Sequence, residues 1–133
     1  MKKYTVKEKI KNAKRWLNVL KTTKRRKTIF ILRNENFKGD ICYDPNIPKF
    51  SYCCLGVGCQ VFRAKPDSWR DSSNKIFENK VGINSEKIKI IFDINDEQFE
   101  TDKDFKNVRK EIIRRAYEIF EPKVAEAISK VKV

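Results

Sequence analysis

The residues best suited to chemistry lie in one run, Tyr52-Cys53-Cys54-Leu55-Gly56-Val57-Gly58-Cys59. A cysteine at the start of a helix faces the unpaired N–H groups of the first turn, which favour the reactive thiolate. Attack on a substrate also needs a group that takes the thiol proton, ordinarily an imidazole, and the chain contains no histidine. Cys-His and Ser-His pairs, HExxH zinc sites and histidine general bases are therefore all excluded. Cys42, Cys53, Cys54 and Cys59 make no CxxC spacing, so neither a disulfide framework nor a zinc knuckle is expected. The acidic group Asp93, Asp96, Glu97, Glu100, Asp102 and Asp104 lacks the glycine bend of a calcium loop and reads as a solvated acidic stretch. The expectation is a non-enzymatic protein with reduced, structural thiols and with no catalytic residue, cofactor or metal.

Charge points instead to binding. The net charge is +13, and residues 1–33 hold 13 Lys or Arg against Glu8 alone, whereas the rest of the chain is almost balanced. Lys and Arg stand at 22 to 9 beside abundant Ile, Asn and Phe, a composition an AT-rich genome encodes; it raises the total without explaining the clustering. Lys21, Lys24, Arg25, Arg26, Lys27 and Arg33 are the expected anion or nucleic-acid contacts, since cations in a run can track phosphates and arginine forks bind phosphate or carboxylate equally well. The partner is accordingly anionic: nucleic acid, a nucleotide, or the acidic surface of a protein. A second grouping forms a candidate nucleotide pocket near the start of the cysteine segment, from Tyr52, Cys53, Arg63, Trp69 and Arg70 with Asn95 and Asp96. Asn95 and Asp96 read either as side chains closing a turn or as ligand contacts.

The elements that must position these groups are legible in outline. Thr5 and Glu8 have capping-box spacing, and Val6, Ile10, Ala13, Leu17 and Leu20 form one apolar stripe of a first helix with Trp16 at its edge. Thr28 to Leu32 reads as a buried strand, and residues 34–50 as an irregular excursion that Tyr43 and Phe50 pin down. Within Ser51 to Ala64, Leu55, Cys59 and Phe62 favour a buried helix, whose Gly56 and Gly58 imply close approach by a neighbour. Lys65 to Asn74 reads as a loop, and Gly82 as the residue just past a short helical piece, Ile76 to Val81. Ile88 to Ile94 alternates like a strand. Asp102 or Asp104 caps a long helix striped by Phe105, Val108, Ile112, Ala116 and Ile119; Pro122 opens a last helix facing inward with Val124, Ala127, Ile128 and Val131. The fold class is α+β: residues 1–133 as one domain, terminal helices packed on a small sheet, and a buried Cys/Gly-rich helix. No run suits a membrane span or a signal peptide, which places the chain in a cytoplasm.

From Trp16 to Ile113 the order of Trp16, Tyr52-Cys-Cys-Leu-Gly-Val with Cys59, Val81-Gly82-Ile83, Ile94-Asn95-Asp96 and Phe105 resembles small bacteriophage and prophage proteins that read W…YCCLGVLCD…LGL…LND…F. Gly58 and Gln60 stand where that pattern has Leu and Asp. The resemblance implies a phage accessory protein in a bacterial cytoplasm, of a kind that often acts against host defences by binding a defence protein, its nucleic acid or its nucleotide signal.

Overall fold

The computed structural model describes residues 3–29, 31–64 and 69–133, without the side chains of 69–73. Helix α1 (Val6–Thr22) begins at the expected box: Thr5 Oγ1 accepts from the Glu8 N–H at 3.1 Å, and Glu8 Oε1 accepts from the Thr5 N–H at 3.1 Å. Its buried stripe is Ala13, Trp16, Leu17 and Leu20, with Val6 exposed. Trp16 thus lies at the centre of the stripe rather than its edge. Its indole N–H donates to the Cys54 carbonyl at 2.9 Å, and its ring meets Phe77 edge-on with centroids 5.0 Å apart.

Helix α2 (Cys54–Val61) is the hub. Cys54 to Cys59 are all buried, as expected of a helix apolar all round. Both glycines answer to close neighbours. A Cβ at Gly56 would overlap the Leu32 carbonyl oxygen, and one at Gly58 would overlap the Phe77 ring and stand 3.1 Å from Trp16 Nε1. α1 packs on α2 and on α3 (Trp69–Val81), which begins inside the stretch read as a loop; positions 65–68 of that stretch lie outside the described residues.

The strands are shorter than expected and lie on either side of the apolar run. β1 (Arg26–Lys27) pairs parallel with β3 (Phe50–Tyr52), and β2 (Arg33–Glu35) pairs antiparallel with the other edge of β3. The chain must therefore reverse direction between Lys27 and Arg33, so Thr28 and Leu32 meet the end of β3 instead of lying in the expected strand; Phe30 of that expected strand lies outside the described residues. Thr28 N–H donates to the Tyr52 carbonyl at 2.8 Å, the Leu32 carbonyl accepts from Cys53 N–H at 3.2 Å, and Ile31 is left exposed. Between β2 and β3 the excursion is organised by Asn36, whose side chain bonds the backbone of Asp44 and Ile47, while Phe37 stacks edge-on against half-buried Phe50. Tyr43 is exposed and does not pin it.

The segment read as a second strand is helical: α4 (Ile88–Asp93) follows a 3-10 turn at Ser85–Lys87 and runs into a π-helical turn at Ile94–Gln98. Ile88, Ile91 and Ile94 are its buried residues, a three-residue spacing that the intervening Ile90 and Phe92 disguised as alternation. The long helix divides at Arg115 into α5 (Lys106–Arg114) and α6 (Ala116–Ile119), yet Phe105, Val108, Ile112, Ala116 and Ile119 are all buried as one stripe. Asp104 Oδ1 accepts from Lys106 N–H at 3.0 Å at the start of α5. Gly82, at φ +77°, ends α3, and its carbonyl accepts from Glu121 N–H at 2.8 Å just before Pro122 opens α7 (Pro122–Ser129). Val124, Ala125 and Ile128 are buried there, while Ala127 and Val131 are only half-buried. The result is an α+β domain in which α1, α3 and α4 pack on α2, with the small sheet at its leading end, and α5 and α7 pack on α1. Among the described residues no helix is long and apolar enough to cross a membrane.

Candidate functional site

The Cys/Asn cluster is fully committed to structure. Cys53 caps α2, its Sγ accepting from Gly56 N–H at 3.4 Å, and burial pushes its thiol up to about 12. Burial likewise raises Cys54, and takes Cys59 to about 12. Desolvation disfavours the thiolate and outweighs the backbone N–H bonds that favour it. Asn95, fully buried on the π-helical turn, accepts from Cys54 N–H at 3.1 Å and donates to the Thr28 carbonyl at 3.0 Å and to Asp96 Oδ1 at 2.7 Å. Asn95 and buried Asp96 therefore tie the π turn, the 28–32 crossing and α2 together, well away from solvent.

The expected anion contacts separate into three groups. Lys27 is buried; its ammonium donates to the Phe99 carbonyl at 2.6 Å, and burial lowers its pKa. It supports the fold and is not presented to a phosphate. Arg33 pairs with Glu35 at 2.6 Å and lies over Phe50 at 4.9 Å, so its charge is met within the molecule, and half-buried Arg26 lines a groove of about 220 Å³ beside Glu100 and Asp102. Lys21, Lys24 and Arg25 remain exposed.

Arg25 belongs to a feature the sequence did not reveal. Arg15 of α1, Arg25 of the connector and Arg63, just beyond α2, line one cleft of about 240 Å³. Val19, Val57 and Val61 line it as well. Gln60 completes it, and its Oε1 is shut off from solvent with no hydrogen-bond partner among the described residues. Arg25 is held by Thr23, whose Oγ1 accepts from its backbone N–H and from Nη1, each at 3.2 Å, and its guanidinium lies 5.9 Å from the Tyr52 ring. Arg63 is held by its backbone. α2 ends with Arg63 N–H donating to the Gln60 carbonyl at 3.0 Å and Ala64 N–H to the Cys59 carbonyl at 2.9 Å, which sets Arg63 at φ +57°. That position usually carries glycine.

Of the expected pocket residues, then, Arg63 lines the cleft, Tyr52 supports it through Arg25, and Cys53, Asn95 and Asp96 lie in the core. Trp69 and Arg70 open α3, and their side chains fall outside the described residues. Arg15 and Gln60 were missed. The available signal was Arg15 and Val19 four apart on α1, beside the stripe, and one amide in an otherwise apolar helix. No family model, no curated protein and no solved structure matches this chain.

Proposed function

We propose that this chain is a small non-enzymatic binding protein of the phage accessory type, acting in a bacterial cytoplasm, that engages nucleic acid through the basic face of α1 and the connector after it. One observation supports this reading: Lys7, Lys11, Lys14, Arg15, Lys21, Lys24 and Arg25 are exposed and, among the described residues, form no ion pair. Lys9, on the same helix, is matched by Glu121, and Arg115–Glu118 and Lys130–Glu126 are paired on other helices. Unmatched charge on one face repels itself, and a polyanion that releases counterions on contact relieves it. The burial of Cys53, Cys54 and Cys59, which keeps their thiols protonated, supports the non-enzymatic part of the reading.

Fluorescence anisotropy with labelled single-stranded and duplex oligonucleotides, across a salt series, tests it. Each neutralised phosphate contributes about −0.9 to the slope of log affinity against log salt on duplex and about −0.7 on single strands. Replacing Lys21, Lys24 and Arg25 together by alanine should make that slope shallower by about 2 to 3. No binding at low salt, or a slope that the triple variant leaves unchanged, would overturn the proposal. Capture of an acidic host protein by such a preparation would then move the role to a protein target.

A further inference from the structure

We infer that the Arg15–Arg25–Arg63 cleft is a pocket for a nucleoside phosphate, with the phosphate held by the three guanidiniums and the base or sugar lying along the valines against Gln60. This deepens the nucleic-acid reading, because it places on the same face a site that recognises one nucleotide rather than a backbone.

Four observations converge. Among the described residues no carboxylate pairs with any of the three arginines, so the cleft keeps its full positive charge. Guanidinium forks match the oxygens of a phosphate in a bidentate manner, and a terminal phosphate, with more charge and more free oxygens than a diester, uses several at once. The arginines sit on α1, on a connector held by Thr23 and on the locked end of α2, so their backbones need not be reordered when the anion arrives, and the Arg25 guanidinium is already held by Thr23.

A volume of about 240 Å³ exceeds what a phosphate alone fills, and the additional wall is apolar, from Val19, Val57 and Val61. Gln60 Oε1 is a buried acceptor that lacks a donor, an uncommon state in folded proteins. Rotation of its terminal amide brings either the oxygen or the NH₂ group to the cleft, where a base edge or a sugar hydroxyl supplies what is missing. Two other hollows among the described residues offer less: the groove beside Arg26 contains Glu100 and Asp102, and the hollow beside Asn36 uses that amide to fix its own loop.

The phosphate can come from a free mononucleotide or from the 5′ end of a strand, and the test distinguishes them. Isothermal titration of the full chain with adenosine monophosphate, adenosine, and matched 5′-phosphorylated and 5′-hydroxyl single strands should give measurable binding of adenosine monophosphate and none of adenosine. It should also show tighter binding of the phosphorylated strand by at least about tenfold, the discrimination expected from charge-assisted contacts. Competition of the mononucleotide with the phosphorylated strand would assign both to the cleft; binding of the strand alone would restrict the site to strand ends.

Arg63→Gly should abolish the preference while the melting temperature holds or rises, since glycine suits φ +57°. Gln60→Met should weaken the mononucleotide by several-fold without abolishing it. Equal affinity for phosphorylated and hydroxyl strands, unchanged in Arg63→Gly, would overturn the pocket and leave the basic face standing. Binding of the mononucleotide with no affinity for any strand would overturn the basic-face proposal and leave the pocket standing.

Discussion

At the scale of single residues, Asn95 carries more of the structure than any charged group in the molecule. Its one fully buried amide serves the first N–H of α2 through Oδ1 and the half-buried Thr28 carbonyl through Nδ2. Removing it leaves a buried donor and a buried acceptor unpaired, each worth about 1–3 kcal/mol. Asn95→Ala is therefore expected to destabilise the protein by about 2–4 kcal/mol in urea denaturation, and a loss below about 0.5 kcal/mol, the level of an ordinary surface change, would show that the network is dispensable. Asp96, beside it, adds an acceptor for the same amide.

At the scale of elements, the reversal between β1 and β2 and the helix α2 are one construction. The Leu32 carbonyl accepts from Cys53 N–H and rests where a side chain at position 56 would stand. Gly56→Ala forces backbone against backbone, which no rotamer relieves, so a loss of about 3 kcal/mol or failure to fold is expected, while the neighbouring Val57→Ala should cost about 1–2 kcal/mol through lost burial alone. Comparable midpoints for the two variants in guanidinium would remove the special place given to Gly56.

The same construction explains what could be read in advance. Local signals survived intact: the Thr5–Glu8 box, Gly82 at the end of α3, Pro122 at the start of α7 and the glycines of α2 each answer to neighbours in the chain or to a missing Cβ. Thr28 to Leu32 has strand composition, but the opposed directions of β1 and β2 make it a reversal, and only pairing with distant β3 decides that. Ile88 to Ile94 satisfied two periods at once, and packing chose the helical one. The cleft was half legible: Arg25 and Arg63 lay within the marked basic and pocket groups, whereas Arg15 joins them only because α1 lies against α2.

At the scale of the whole molecule, titration brackets the pH range of stability. Glu111 is held below the usual carboxylate range by its hydrogen bond from Arg114, with a further one from Gln98, so its contribution is present above the unfolded-state pKa and is lost as pH falls through the folded one. On the alkaline side Cys53 and Cys59, at about 12, keep their protons after the unfolded chain has released its own near 9.0. Stability therefore falls as pH climbs through that window, by about 1.4 kcal/mol per pH unit for each fully buried thiol. Lys27, lowered by burial, works in the opposite sense, but it is one group against two thiols and Cys54 besides. Melting temperatures should hold to about pH 8.5 and then drop steeply, and a flat profile to about pH 10.5 would contradict the burial of the thiols.

The two ends of the chain are fastened together. Lys9 grips Glu121 at 2.9 Å, Arg109 reaches the carbonyls of Leu17 and Lys132, and α1 lies directly on α7. During synthesis this has a temporal meaning. The first helix leaves the ribosome about a hundred residues before the side chains of Val124 and Ile128 that cover it, an interval of roughly 5–20 s at ordinary elongation rates. Until then the part of its stripe that α7 covers is carried on a strongly cationic nascent segment beside a ribosomal surface made largely of RNA, whereas Trp16 finds Cys54 and Phe77 earlier. The charge proposed to let the finished face meet a polyanion would thus also set where the unfinished chain waits.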